Sequence, residues 1–160
     1  MSATSGCPVT KVLQYVFITQ VVVAILRRST RNGGSAAAAT EEKKGALTRY
    51  GISSNGRFSE SISHEGVVYT SGQVGKGRTI QEATTAALAD VDHALALAGT
   101  DKSKCLTVTI YLRNIERDYS GMNEVYDRWI APGMPPCRAT VQAFLADPAW
   151  LVEVHATASR

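Results

Sequence analysis

The chain has 160 residues, of which 44% are hydrophobic and 19% are charged, a composition typical of a single globular domain with a sizeable core. Its formal charge of +3 is unevenly distributed, because residues 1–46 carry six Lys/Arg and two Glu whereas residues 47–160 carry eleven Lys/Arg and twelve Asp/Glu. The balance of −1 in the second part gives no electrostatic reason to expect nucleic-acid binding there.

Residues 1–46 are interpreted as a targeting or disordered extension. The first 40 residues contain no acidic side chain and four basic ones. The apolar stretch from Val12 to Leu26 has fifteen residues with polar interruptions, which is short for a membrane span, so we expect no stable span. The Arg-rich and Ser-rich composition favours a mitochondrial presequence; a secretory signal, an anchor and a cytoplasmic location are the alternatives.

The domain at residues 47–160 opens with three predicted strands, at Leu47–Ile52, Phe58–Ser63 and Val67–Ser71. A hairpin turn at residues 64–66 joins the second strand to the third. Residues 72–77 form a glycine-rich loop, which lacks the GxxxxGK[ST] spacing of a phosphate-binding loop. We therefore interpret it as an ordinary connection between a strand and a helix.

Two helices and one strand follow. Thr79 and Glu82 form a predicted capping box for a helix that ends near Ala98. Its predicted core face comprises Ala83, Ala87, Leu88, Val91, Leu95 and Ala98. The next strand, Cys105–Leu112, would place Leu106, Val108, Ile110 and Leu112 on one face. A second helix is predicted over Tyr119–Ile130, with Met122, Val125, Tyr126 and Trp129 as core residues.

The last two predicted strands, Pro136–Leu145 and Leu151–Val154, each carry one charge in a β-prone run. A turn at residues 146–149 predicts that they form an antiparallel hairpin. If their apolar faces meet one core, Arg138 and Glu153 emerge on the same side of the sheet. The alternative is a cross-strand ion pair on a solvated face, worth only about 0.2–1 kcal/mol.

The order β-β-β-α-β-α-β-β predicts an α+β fold in which both helices cover one face of a mixed sheet. The other face, carrying Arg138 and Glu153, would be bare in a single copy. We expect it to be buried against sister subunits.

The cysteines and histidines show no metal-binding spacing, so no metal site is expected. Three widely spaced cysteines argue against a disulfide framework. Cys137 is interpreted as a core residue rather than a nucleophile. Among the three histidines, only His155 shares the predicted side of Glu153.

Taken together, several short motifs resemble the RidA (YjgF) family, also labelled endoribonuclease L-PSP. The motifs are Pro136-x-Arg138, Thr140-Val141, Val152-Glu153-Val154, Val68 to Gln73, and Met122-Asn123. The resemblance covers residues 47–160. It implies a chorismate-mutase-like fold with a six-stranded mixed sheet, a homotrimer with clefts between subunits, and hydrolysis of 2-imino (enamine) acids such as 2-iminobutanoate to 2-oxo acids and ammonia.

By position, the resemblance implies that Arg138 binds the substrate carboxylate and that Glu153 positions the hydrolytic water. A planar guanidinium suits a bidentate carboxylate contact, and a carboxylate can hold water and move its proton. The implied cleft residues are Phe58, Ser71, Gly72, Asn123 and Thr140. No metal or organic cofactor is implied, because an imine is already electrophilic.

Two positions depart from the family pattern. Phe58 stands where the best-known members have a tyrosine, and His155 stands where they often have an acidic residue. The chain therefore resembles a side branch of the family. Two other functions stay open: a module that binds a small carboxylate metabolite without turnover, and an L-PSP-type endoribonuclease or translation inhibitor.

Overall fold

A computed structural model describes residues 45–160, so the predictions for the N-terminal extension and its apolar stretch lie outside the described residues. The elements are β1 Thr48–Ile52, β2 Ser59–His64, β3 Val67–Thr70, β4 Gln73–Val74, α1 Ile80–Leu97, a 3₁₀ turn Lys102–Lys104, β5 Cys105–Leu112, α2 Ile115–Trp129, β6 Cys137–Gln142 and β7 Val152–Ser159. Neither helix within residues 45–160 combines the length and the hydrophobicity that a membrane span needs.

The strands form one mixed sheet in the order β1-β2-β3-β7-β5-β6, with β4 also pairing with β7. Strands β5 and β6 run parallel, and the other pairs are antiparallel. The predicted α+β class, with two helices on one face of a mixed sheet, is confirmed. The sheet has seven strands rather than six, because two residues of the glycine-rich loop pair with Glu153 and Val154.

Strands β6 and β7 do not form the predicted hairpin, because β5 lies between them. The chain passes from β5 through α2 into β6, and a parallel pair needs such a crossover. This crossover places β6 at the outer edge of the sheet. Residues 143–151 then lead back to β7 on the other side of β5.

The changed strand order also reverses the predicted orientation of β6. Arg138 pairs with Val108 and Thr140 with Ile110, and both partners are buried under the helices. Side chains of directly paired residues point to the same face, so Arg138 and Thr140 lie on the helix-covered face. Glu153 instead lies on the uncovered face, because the flanking Val152 and Val154 are fully buried. The prediction that Arg138 and Glu153 share one side is therefore wrong.

Helix α1 begins as predicted. The Thr79 hydroxyl accepts from the Glu82 N–H, and the Glu82 carboxylate accepts from the Thr79 N–H, which completes the capping box. Every residue of its predicted core face is buried. Helix α1 thereby packs an alanine-rich face against the sheet, which allows its backbone to approach closely.

Helix α2 begins one turn earlier than predicted, at Ile115 rather than Tyr119. The side chain of Asn114 accepts a 2.9 Å hydrogen bond from the Arg117 N–H and so caps the helix at that point. Its predicted core residues Met122, Val125, Tyr126 and Trp129 are all buried.

Two predictions about β5 and β6 are corrected. Leu106 is 46% exposed, because the pairing of β5 with β7 shifts register between Cys105 and Thr107, as at a β-bulge, and Cys105 is buried in its place. Cys137 is exposed rather than part of the core, because it pairs with the exposed Thr107 at the edge of the uncovered face.

Candidate functional site

A cavity of about 370 Å³ lies on the uncovered face beside Glu153. Its lining residues are Gly72, Tyr111, Ala143, Phe144, Leu145, Glu153 and His155. Glu153 and Tyr111 are directly paired between β7 and β5, and His155 follows on the same face of β7. The cavity therefore brings a carboxylate, a phenol and an imidazole together. We call Tyr111, Glu153 and His155 the Glu153 half-site.

Residue 72 must be glycine because the Glu153 carboxylate occupies the space beside its backbone. A Cβ atom at residue 72 would overlap Oε1 of Glu153, so this carboxylate lies directly against the backbone. The neighbouring Ser71 is held in place, since its backbone N–H donates to the Glu60 carbonyl at 2.8 Å and its hydroxyl accepts from Gln73 Nε2 at 2.9 Å. The glycine-rich loop thus forms one wall of the cavity.

Arg138 lies at the edge of the helix-covered face and is exposed. Its Nη1 donates a 2.8 Å hydrogen bond to Oδ1 of Asn123, and its guanidinium carbon is 4.6 Å from the centre of the Tyr126 ring. A guanidinium has five N–H donors, so the contact with Asn123 leaves most of them for a ligand. We call Asn123, Tyr126, Arg138 and Thr140 the Arg138 half-site.

The remaining side chains of β6 and its surroundings have different roles. Oγ1 of Thr140 is buried and has no hydrogen-bond partner in the described part of the chain. Oε1 of Gln142 accepts from the Ile115 N–H at 3.0 Å and so stabilises the start of α2. Phe58 is exposed just before β2 and is not among the residues lining the Glu153 cavity.

Two pKa values in the domain are shifted by burial. Burial raises the pKa of Tyr126, and the adjacent positive charge of Arg138 opposes that shift. Burial raises the pKa of the Cys105 thiol to about 11, with smaller contributions in the same direction from Asp92 and Asp101. Among residues 45–160, no cluster of three or more His, Cys, Asp or Glu side chains could hold a metal ion.

Sequence reasoning identified residues of both half-sites but not their arrangement. Arg138, Asn123 and Thr140 come together on one face, whereas Gly72 and Glu153 come together on the other. Tyr111 and Phe144 were missed. Tyr111 lies on the face of β5 opposite its core residues, and Phe144 lies two positions after the end of β6. Neither residue belonged to a sequence motif that pointed to a site.

A family model described as Endoribonuclease L-PSP matches residues 48–160. The chain belongs to this family, which includes the YjgF and RutC proteins. A RutC family protein of Haemophilus ducreyi is 39% identical over 115 residues, covering 71% of this chain and 96% of that protein.

The structural comparison agrees with the L-PSP/YjgF assignment. A crystal structure of a YjgF family member from Neisseria meningitidis has 40% sequence identity and a TM-score of 0.70, covering 73% of this chain and 97% of that one. The fold implied by the resemblance is therefore confirmed.

The family also has members described as mitochondrial. The Schizosaccharomyces pombe protein mmf2, described by that term, is 34% identical over 98 residues, covering 58% of this chain and 76% of that protein. Relatives of this chain thus occur both in bacteria and in a eukaryotic organelle.

Proposed function

We propose that this protein hydrolyses reactive 2-imino (enamine) acids to 2-oxo acids and ammonia, in sites formed between neighbouring copies of the chain. The observation that carries the proposal is the exposed Arg138 guanidinium, which is held by Asn123 and Tyr126 at the sheet edge. Family membership supports the reaction class. The Glu153 cavity supplies the second group that the reaction requires.

Arg138 binds the carboxylate of the substrate in this proposal. Its planar fork matches two carboxylate oxygens, and its positive charge persists at every working pH. Both the imino acid and the 2-oxo acid product carry this carboxylate. Binding at Arg138 therefore orients the C2 atom without deciding the chemistry that occurs there.

Glu153 acts on the water. Its carboxylate accepts a hydrogen bond from a water molecule and takes a proton as the water oxygen attacks C2 of the imine. As the C=N π bond breaks, the imine nitrogen takes up the proton removed from the water, so the resulting carbinolamine carries both a hydroxyl and an amino group on C2. Its C–N bond then breaks as nitrogen receives a proton, ammonia leaves, and loss of the hydroxyl proton forms the 2-oxo acid. One water is consumed and no oxidant or reductant is needed.

The geometry of one copy supports a site that is shared between two copies. Arg138 and Glu153 lie on opposite faces of the sheet, and β5 separates their strands. Neighbouring strands are about 4.8 Å apart, so β6 and β7 are about 10 Å apart. Because the two side chains also leave opposite faces of the sheet, we expect that a small imino acid does not contact both of them in one copy. A closed symmetric oligomer solves this by placing the Arg138 edge of one copy over the Glu153 cavity of the next. We propose the homotrimer as that oligomer.

The test couples an amino-acid oxidase or threonine dehydratase to this protein and follows the decay of the released imine. Arg138→Ala and Glu153→Gln should both abolish the acceleration, whereas Arg128→Ala, which changes an exposed arginine of the same helix-covered side, should retain it. Glu153→Gln should still bind 2-oxobutanoate, because Arg138 is intact. Full imine turnover by Glu153→Gln would refute the proposed role of the carboxylate.

Binding of a small carboxylate without turnover is a second candidate. The separation of Arg138 from Glu153 within one copy favours it, because the Arg138 half-site alone can recognise a carboxylate. In that case the unmutated protein would bind 2-oxobutanoate but leave the imine decay rate unchanged. The two candidates therefore predict different results in the same pair of assays.

We also propose a mitochondrial location. The first 40 residues, which contain arginines but no acidic side chain, and the mitochondrial relative support it. Import of the full chain into isolated mitochondria, with protection from added protease, is the expected result. Retention of the whole chain in the supernatant would favour the cytoplasmic alternative.

A further inference from the structure

We infer that Tyr126 is a positioning residue, which holds the plane of the Arg138 guanidinium in an orientation that suits a bidentate carboxylate. The inference rests on the proposed function, since it takes Arg138 as the group that binds the substrate carboxylate. Sequence periodicity assigned Tyr126 to the core of α2. Its ring is indeed buried, but it has a second contact that the pattern did not predict.

The contact joins a buried ring to an exposed cation. Tyr126 is 3% exposed, yet its ring centre is 4.6 Å from the guanidinium carbon of Arg138. This separation is within the range of a cation–π interaction, and Arg also stacks on aromatic faces. Stacking limits tilting of the guanidinium, whereas it does not prevent rotation within the plane.

Asn123 supplies the restraint that stacking lacks. It lies three residues before Tyr126 on α2, so the two side chains are neighbours on one helix face. Its Oδ1 accepts from Nη1 of Arg138 at 2.8 Å and thereby fixes the rotation of the guanidinium. One turn of α2 thus orients Arg138 in two independent ways, and the remaining N–H donors keep a constant direction for a bidentate ligand.

The ring itself is held by further contacts. Its centre is 5.7 Å from that of the Trp129 ring, and Trp129 Nε1 donates to Oδ1 of Asp92 on α1 at 3.1 Å. Lys102 Nζ lies 3.6 Å from the other carboxylate oxygen of Asp92. Tyr126 is therefore a fixed surface rather than an adaptable one, which is what a positioning residue requires.

The hydroxyl of Tyr126 is not used for this purpose. Its Oη is buried and has no hydrogen-bond partner within the described residues. The ring, rather than the hydroxyl, makes the contact with Arg138. Replacement by Phe should therefore preserve the function, while replacement by a side chain without a ring should not.

The experiment measures binding of 2-oxobutanoate and the kinetics of imine decay in single and double variants. Tyr126→Leu should raise both the Kd for 2-oxobutanoate and the KM for the imine by about tenfold, while kcat changes by less than about threefold. Tyr126→Phe should stay within about twofold of the unmutated protein. In an Arg138→Lys background, which keeps the positive charge but lacks the planar stack and fork, Tyr126→Leu should raise the Kd for 2-oxobutanoate by less than about threefold, because it acts through the guanidinium.

Two outcomes would overturn the inference. One is an equal rise in the Kd for 2-oxobutanoate when Tyr126→Leu is made with and without Arg138. The other is a fall in kcat at unchanged KM. Tyr126→Met, which keeps an unbranched apolar side chain, repeats the measurement if the leucine variant does not assemble. If neither assembles, Arg138→Lys provides the test at an exposed site. A lysine keeps the charge but lacks the planar stack and fork, so wild-type affinity in this variant would refute the inference.

The same assays separate this inference from the proposed reaction. Binding that depends on Tyr126 through Arg138, in a protein that does not accelerate imine decay, would refute the hydrolase and support the positioning role. Imine turnover that does not depend on Tyr126 would support the hydrolase and refute the positioning role. Unchanged 2-oxobutanoate binding in Arg138→Ala would refute both the positioning role and the carboxylate role of Arg138.

Discussion

Strands β7 and β6 carry the two halves of the candidate site, and they differ in how they are covered. β7 lies inside the sheet, between β3 and β5, and every second residue from Val152 to Ala158 is fully buried. β6 lies at the edge and contains no fully buried residue. The alternation of apolar and polar residues along β7 therefore predicts correctly which side chains face the core. The equally regular alternation along β6 does not. An arginine on the helix side of an edge strand can still reach solvent.

The largest expected effect follows from placing these two strands in different copies. Arg138→Ala and Glu153→Gln should each lower imine hydrolysis by at least about a hundredfold, but a mixture of both variants, unfolded and reassembled together, should regain activity. Random mixing of copies gives about one quarter of the sites both native groups. The measurement is the imine decay rate of the reassembled mixture.

The control for this prediction reassembles each variant with itself, which should stay inactive. A mixture that is no more active than the separate variants, although mass spectrometry shows mixed oligomers, would mean that neighbouring copies do not share a site. The comparison of β6 with β7 would then have no functional meaning.

A smaller effect is expected at the wall of the Glu153 cavity. In Gly72→Ala, the new Cβ atom would overlap the Glu153 carboxylate, so this carboxylate must move away from its water-holding position. We expect kcat to fall by about tenfold to a hundredfold, with 2-oxobutanoate binding retained because the Arg138 half-site is unchanged.

Gly56→Ala is the matched control for this substitution. Gly56 has φ +69° but open space around it, so the added methyl group costs about 1–2 kcal/mol of backbone strain without touching the cavity. Its stability should fall while its kcat stays native. A native kcat in Gly72→Ala would show that the Glu153 carboxylate is not confined as described.

The sequence was sufficient for features that depend on neighbouring residues and insufficient for the order of strands. The capping box of Thr79 and Glu82 and the buried stripe of α2 follow from local chemistry. The position of β6 depends on the long crossover through α2, which pairs it with β5. The short turn after β6 instead suggested a hairpin with β7, and local sequence did not distinguish these two pairings. The bulge after Cys105 is likewise set by pairing with β7, and it moved Leu106 out of the core.

Substitutions in the two strands should differ in how much they lower the free energy of unfolding and in whether that effect depends on protein concentration. Val154→Ala removes methyl groups from a fully buried site in β7 and should lower the free energy of unfolding by about 2 kcal/mol at any protein concentration. Val141→Ala changes a side chain on β6 that is 42% exposed in one copy. We expect a cost below about 1 kcal/mol, which varies with protein concentration if neighbouring copies cover this face as proposed. Chemical denaturation at two concentrations measures both values.

The smallest effect concerns the reactivity of two cysteines. The thiolate is the reactive form, and Cys105 has a pKa of about 11, so iodoacetamide at pH 8 should modify Cys137 and leave Cys105 intact. The Cys105 thiol should begin to react only as the pH rises toward about 11. An unfolded chain loses this proton near pH 9.0; the folded state therefore holds it longer, and the stability from this group is lost between pH 9 and about 11.

Peptide mapping by mass spectrometry identifies which cysteine has reacted, and Cys137→Ser provides the control in which labelling of the domain at pH 8 should disappear. Rapid modification of Cys105 at pH 8 would show that the start of β5 opens to solvent. Dilution sharpens the test further, because Cys137 lies on the face that we expect neighbouring copies to cover. Its labelling rate should rise as the oligomer dissociates, whereas that of Cys105, which is shielded within its own copy, should not.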